Sequence, residues 1–277
     1  MMIQGVVVVV ATMVAGAALA WPITRHENST IYYMMCGDKL HIILEEKEEL
    51  IVNFDSDNQT LLEGECLADL RVAVKDTGIK KYGMQVEGEM DLEDPDNGEL
   101  CTSSYLRVTD VDDLEDETGR INKFCNKNSI DFETIEDLVT LELSLKDIGK
   151  NKGQFRVKLM PHCLCGGLID KKEGEIKTPL YPRPYPNILC IWVIKAALNS
   201  SIFLYFEEFN LRPRAKKHCK DYLNLNDGMG QELHCGKELQ HTTKKYNVNL
   251  LILRFSSTRT QNEYSGFLGK VMFGPET

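Results

Sequence analysis

The stretch Cys165–Trp192, CGGLIDKKEGEIKTPLYPRPYPNILCIW, decides the fold. A cysteine followed by Gly166-Gly167 leads into the extended run Gly174-Glu175-Ile176. Two turn-rich segments follow, Thr178-Pro179-Leu180-Tyr181-Pro182 and Tyr185-Pro186-Asn187, in which proline fixes φ and removes a backbone donor. Cys190, Trp192 and Ile194 then alternate with their neighbours, the period of a half-buried strand. Outward from this stretch the texture is the same. Leu40–Leu44, Leu50–Phe54, Leu70–Val74 and Leu138–Leu145 are short β-type runs between Gly, Asp and Asn clusters, and helical periodicity is nowhere sustained. Regularly spaced short strands with turn signals predict an all-β sandwich.

The N-terminus reads differently. Val6 to Val10 and the Ala- and Gly-rich residues after them form one apolar run that ends at Ala18-Leu19-Ala20, before Trp21. Small residues at 18 and 20 fit signal-peptidase cleavage, so residues 1–20 are read as a signal peptide, with a retained anchor as the alternative. No later run is long and apolar enough to span a bilayer, so no membrane anchor is expected and the mature protein is expected to be secreted. All nine cysteines lie beyond residue 35, which in an exported chain predicts a disulfide framework. Asn28, Asn58 and Asn199 open Asn-x-Ser/Thr tripeptides and are candidate glycosylation sites on that route. The net charge of −10 argues against nucleic acid as a partner.

Downstream of Trp192 come Ile202–Leu211 (IFLYFEEFNL), Cys219-Lys220-Asp221-Tyr222-Leu223, Cys235-Gly236, Leu253-Arg254-Phe255-Ser256-Ser257 and Gly266-Phe267. Together with the opening stretch, this ordered series resembles a CUB domain over residues 165–273. The resemblance implies a secreted antiparallel β-sandwich of jelly-roll type with intramodule disulfides. Residues 36–161 repeat the plan in divergent form. Met90-Asp91-Leu92-Glu93 stands where the second half has Phe209–Arg212, and Tyr105–Val108 parallels Tyr222–Leu225. The Gly-Gly, Tyr-Pro and Trp landmarks are missing there. Two tandem CUB-like modules are therefore expected, after an N-terminal extension at 21–35 and joined by a short linker at Met160–Leu164.

Within that family, cysteines pair first to second and third to fourth in each module. Carried over, this implies Cys36–Cys66, Cys101–Cys125, Cys165–Cys190 and Cys219–Cys235. Cys163 is the odd one, open to an intermolecular bridge that would make a disulfide-linked dimer, to a capped or unpaired thiol, or to replacing Cys165 in its pair.

The resemblance also implies where calcium would bind: a Glu ending a Phe-Asp-Leu-Glu stretch, an Asp just after the third cysteine, and an Asp after Phe-x-Ser. The second module keeps only Asp221 and has Arg212 and Thr258 at the other positions. The first has Glu93 and Asp147 with Ser104 between them, near Asp91, Asp94, Asp96, Asp110, Asp112 and Asp113, and is the calcium candidate. Its alternative reading is a solvated acidic face. In the second module the matching loop is basic instead. Arg212, Arg214, Lys216, Lys217 and Lys220 form a candidate ligand loop for acidic proteins or sulfated glycans, against a plain exposed loop.

No nucleophile elbow, His-Glu-x-x-His or phosphate-binding glycine loop occurs, so no enzyme is expected. Asp170, Tyr181, Tyr185 and Trp192 read as turn and core residues. The expected function is non-catalytic recognition of an extracellular protein, or an anionic glycan, in a fluid such as venom, saliva, seminal fluid or haemolymph. The alternatives are an accessory or regulatory partner of a secreted protease and a sulfated-glycan-binding protein using the Arg212–Lys220 loop.

Overall fold

Alternation along Cys66–Val74 sets up the first sheet: Ala68, Leu70, Val72 and Val74 point inward, while Leu67, Asp69, Arg71 and Ala73 point out. The computed structural model describes residues 10–11, 24–26, 28–59, 63–75, 78–95, 101–110, 121–171, 173–258 and 263–275. Two compact units make up the chain. The first comprises residues up to Lys75 together with Tyr82–His162, and the second comprises Asp76–Lys81 with Cys163–Thr277.

In the first unit, one sheet runs Val10–Ala11, Lys39–Leu44, Cys66–Val74, Leu138–Leu145, Tyr105–Thr109, Ile121–Phe124. Its outer face carries a row of charges set by register. Lys39 lies opposite Asp69, Asp69 opposite Glu142, Glu142 opposite Arg107, and Arg107 opposite Lys123. Lys39 with Asp69 and Arg107 with Glu142 are the opposite-sign pairs that support pairing, whereas Asp69 with Glu142 and Arg107 with Lys123 are like-charged and oppose it. Arg107 closes a forked ion pair on Glu142. A second sheet brings together Ser29–Tyr33, Glu49–Asp55, the first part of Gly153–Ile169, most of Lys80–Leu92 and Asn126–Glu133. The inward faces fill one core of Leu44, Leu70, Val72, Leu141, Val52, Val86 and their neighbours. Phe54 and Phe155 are direct cross-strand partners in it, with ring centroids 5.5 Å apart.

Residues 21–35, read as an extension ahead of the first module, contribute Ser29–Tyr33, a strand parallel to Glu49–Asp55. Its buried residues are Thr30 and Tyr32, and alternation over five residues is too short to distinguish it from an extension. The stretch read as a linker is itself strand: the boundary between the units falls between His162 and Cys163, inside Gly153–Ile169.

In the second unit, one sheet runs Gln231–His234, Tyr222–Asn226, Leu250–Ser256, Leu189–Lys195 and Gly167–Ile169, the last parallel to Trp192–Ile194. The other runs Glu173–Lys177, Gly266–Pro275, Ser200–Asn210, Thr242–Tyr246. Phe267 is the hub between them. Its ring lies 5.8 Å from Trp192, 6.1 Å from Phe206, 5.9 Å from Phe209 and 5.6 Å from Phe255, mostly edge to face, the favoured arrangement for such rings. Gly266 makes this possible, because it sits at φ +88° and a Cβ there would fall 1.8 Å from Thr178 Oγ1. Thr178 clasps the same spot through bonds to Phe267 N and O.

Four disulfides are present: Cys36–Cys66 and Cys101–Cys125 in the first unit, Cys165–Cys190 and Cys219–Cys235 in the second. They span 30, 24, 25 and 16 residues. Loop closure of that size restricts the unfolded chain by about 3–4 kcal/mol each.

Candidate functional site

The site of interest lies in the second unit, where four loops meet around Asp221. Asp221 immediately precedes the strand Tyr222–Asn226, two residues after the Cys219 bridge, and is fully buried. Tyr185, from the Tyr185-Pro186-Asn187 turn, donates its hydroxyl to Asp221 Oδ2 at 3.0 Å and accepts the Arg212 N–H at 3.1 Å. From the other side, Thr258 N and Thr258 Oγ1 both donate to Asp221 Oδ1 at 2.8 Å. Ser257 locks the same turn, with its hydroxyl donating to Pro186 O and accepting from Ile188 N. Burial first, and the Asp221 carboxylate with it, push the Tyr185 phenol well above its ordinary value, so it stays a donor.

This arrangement does not fit calcium. The ion takes six to eight oxygen ligands. Here one carboxylate is present, both its oxygens already accept hydrogen bonds, Thr258 offers donors, and an arginine stands where a further acid would. The buried charge is satisfied from within by a hydroxyl, an amide and a phenol, as buried ions require.

The candidate residues of the first unit take part in backbone hydrogen bonds of neighbouring turns. Glu93 Oε2 accepts from Lys152 N, and the Asp147 carbonyl caps a turn by accepting from Lys150 N and Asn151 N. Ser104 is buried and receives Lys146 N. The neighbouring carboxylate that matters structurally is Asp94, buried and accepting from Thr102 N and Ser104 N. Asp96, Asp112 and Asp113 lie outside the described residues. Among the described residues no group of three or more His, Cys, Asp or Glu could hold a metal ion.

The basic loop folds into a small hairpin in which Ala215 and His218 exchange both backbone bonds, with Lys216 at φ +58° on its tip. Its cations divide into two kinds. Arg214 forks onto Glu238 at 3.0–3.2 Å and reaches Leu233 O. Glu238 also faces His234 Nδ1, whose Nε2 meets Glu232, and Glu232 is bound by Lys244. The hydrogen bond from Lys244 holds Glu232 below the usual carboxylate range. Lys216, Lys217 and Lys220 are exposed and make no ion pair among the described residues. Cys163 is exposed and outside the four disulfides, its Sγ 3.7 Å from Cys165 O.

Two features were missed in the sequence. Tyr185 reads as a turn aromatic, and only its juxtaposition with Asp221 reveals a polar role. The second is a cleft of about 1390 Å³ on the first unit, with Tyr33, Asn53, Glu89, Asn128, Gln154 and Arg156 on its walls. No motif marks it, because its lining residues come from separate strands and turns far apart in the chain. Asn58 also lines it, donating to Asp55 from its short turn, while Thr60 of the same tripeptide lies outside the described residues. Asn28 is exposed beside the strand Ser29–Tyr33.

Fold and disulfides define the class: an all-β protein of two disulfide-stapled sandwich modules. The family model for the CUB domain matches residues 165–269, and the second unit is a CUB domain. The Drosophila melanogaster dorsal-ventral patterning protein tolloid is 34% identical over 118 residues, 38% of this chain and 11% of tolloid. The Drosophila melanogaster cubilin homolog is 24% identical over 250 residues, 84% of this chain and 6% of that protein. The chain thus spans a small fraction of these relatives. The solved CUB1-EGF-CUB2 domains of rat MASP-1 share 13% identity at a TM-score of 0.36, covering 84% of this chain and 99% of that one. CUB domains are modules of protein interaction, and the matched region is not a catalytic domain. No helix among the described residues is long and apolar enough to cross a membrane.

Proposed function

We propose that the protein is exported and acts without catalysis, its CUB domain docking an acidic extracellular protein through the Arg212–Lys220 hairpin. The observation that carries this reading is the division of labour in the hairpin. Arg214 is spent on Glu238, whereas Lys216, Lys217 and Lys220 stand exposed, in a chain whose net charge is −10. Exposed cations on a held loop attract anionic surfaces and speed encounter with them. The first unit, divergent in sequence, is the partner module of a tandem pair.

The test uses the full chain secreted from cultured cells. Lysine-reactive cross-linking in the native fluid is expected to join Lys216, Lys217 or Lys220 to one acidic protein. Binding to that protein is expected to weaken steeply with salt and to be lost in Lys216→Glu/Lys217→Glu/Lys220→Glu. Retention of the wild type on heparin, abolished by the same substitutions, with no protein cross-linked, would replace this reading with sulfated-glycan binding. Failure of the chain to leave the cell would overturn export.

A further inference from the structure

We infer that the N-glycan carried by Asn199 covers an apolar depression at one end of the CUB domain. Isolated exposed apolar side chains are ordinary, but here four surround one concavity of about 570 Å³. Leu198 is 80% exposed, Met229 84%, Leu250 45% and Ile252 37%. The rest of the lining is rich in side-chain amides, Asn199, Asn226, Asn247 and Asn249 among them. Its acid, Asp227, turns its carboxylate into its own loop, accepting from Met229 N and Gly230 N, and those bonds hold it below the usual range. No lysine or arginine lines the depression. Apolar contacts rimmed by amides suit a neutral saccharide, whose ring faces and acetamide methyl groups pack on Leu and Met while its hydroxyls exchange hydrogen bonds with Asn.

The occupant is already attached by sequence. Asn199-Ser200-Ser201 is an acceptor tripeptide, and Asn199 lines the depression next to Leu198. Asn199 sits exposed at φ +59°, a left-handed conformation that asparagine tolerates, at the tip of the turn between Leu189–Lys195 and Ser200–Asn210. Ser201 is fully buried and donates to Asn247 Oδ1 at 2.9 Å. The acceptor hydroxyl is therefore out of reach once the module has folded, and the glycan is added to the nascent chain beforehand.

The inference rests on the export proposed above, and the experiment separates the two. The full chain is secreted from eukaryotic cells and its Asn199 peptide is mapped by mass before and after enzymatic deglycosylation. Asn199 is expected to be modified. Removing the glycan, by endoglycosidase from the folded wild type or by Asn199→Gly, which suits the positive φ, is expected to raise binding of an apolar fluorescent dye several-fold. Adding Leu198→Ser and Met229→Ser to Asn199→Gly is expected to return it to the wild-type level. Secreted protein with Asn199 unmodified overturns the inference and leaves export standing. So does unchanged dye binding after glycan removal. A dimer of the glycosylated wild type that Leu198→Ser/Met229→Ser dissociates would assign the depression to a second copy instead.

Discussion

Tyr185→Phe isolates the closure around Asp221. The substitution keeps the ring, which packs edge-on to Phe255 at 5.3 Å, so only polar terms change. One bond to a buried carboxylate is lost, and the Arg212 N–H loses its acceptor. A hydrogen bond to a charged group contributes about 1.5–3 kcal/mol, and an orphaned donor costs about 1–3 where water cannot reach it. Arg212 is half-buried, so the combined loss is expected near 3 kcal/mol. That lowers the unfolding transition of a unit of this size by roughly 10 °C. Calorimetry on oxidised protein with Cys163 alkylated, to prevent thiol exchange, reads it directly. The dependence on pH supplies a second, independent arm. Because the folded phenol is held above its unfolded value, its contribution is full below about pH 10 and declines as pH rises further, by about 1.4 kcal/mol per unit. The gap between wild type and Tyr185→Phe should therefore narrow above pH 10. A loss under about 0.5 kcal/mol, or a gap indifferent to alkaline pH, would show that the phenol is not the donor that satisfies Asp221.

Wild-type unfolding of the second unit is expected to be the same in calcium and in chelator. Arg212→Glu/Thr258→Asp, which gathers carboxylates at Asp221, should be destabilised in chelator and partly restored by calcium in a concentration-dependent scan. Arg214→Ala removes an ion pair more than a third exposed on both sides, and is expected to lower stability by at most about 1 kcal/mol in denaturant titration. Phe267→Ala empties the hub of the ring cluster and is expected to cost about 3–5 kcal/mol by the same measurement. In the first unit, burial holds His162 below the ordinary histidine value. Stability is accordingly full above about pH 6.5 and falls as pH drops through it, a slope that His162→Gln should flatten in acid titration.

How legible was this in the residues? Sandwich architecture followed from period-two runs, and Trp192 and Phe267 are core landmarks because large rings have few other places to go. The strand Ser29–Tyr33 was not legible, since five residues of alternation carry little signal and its partner lies some twenty residues on. The basic loop was visible as a charge run, but not its internal division. Which cation is spent depends on Glu238, brought back by a separate turn after the Cys219–Cys235 bridge. The replacement of acids by Arg212 and Thr258 was plain, whereas its consequence was not. Only the geometry shows that Thr258 supplies two donors to one carboxylate oxygen and Tyr185 a third to the other.

The closure also bears on recognition, because it holds the basic hairpin at both ends. At one end, Arg212 N is bound by Tyr185, Gly236 N donates to Arg212 O, and Leu211 N donates to Gly236 O. At the other, Cys219 is bridged to Cys235, and Lys220 is followed by the fully buried Asp221. Between these anchors Arg214 is clamped to Glu238, and Lys216 and Lys217 rise from a turn that is already formed. A loop ordered in advance loses little entropy on docking, so more of each lysine's attraction for an acidic partner appears as affinity. On this argument Tyr185→Phe, which touches no cation, should weaken binding by loosening the hairpin. Its effect would appear in dissociation rate more than in salt dependence, whereas Lys216→Glu/Lys217→Glu/Lys220→Glu would act on both. Equal binding by Tyr185→Phe and wild type, measured where both remain folded, would separate the closure from recognition and leave it a purely structural device.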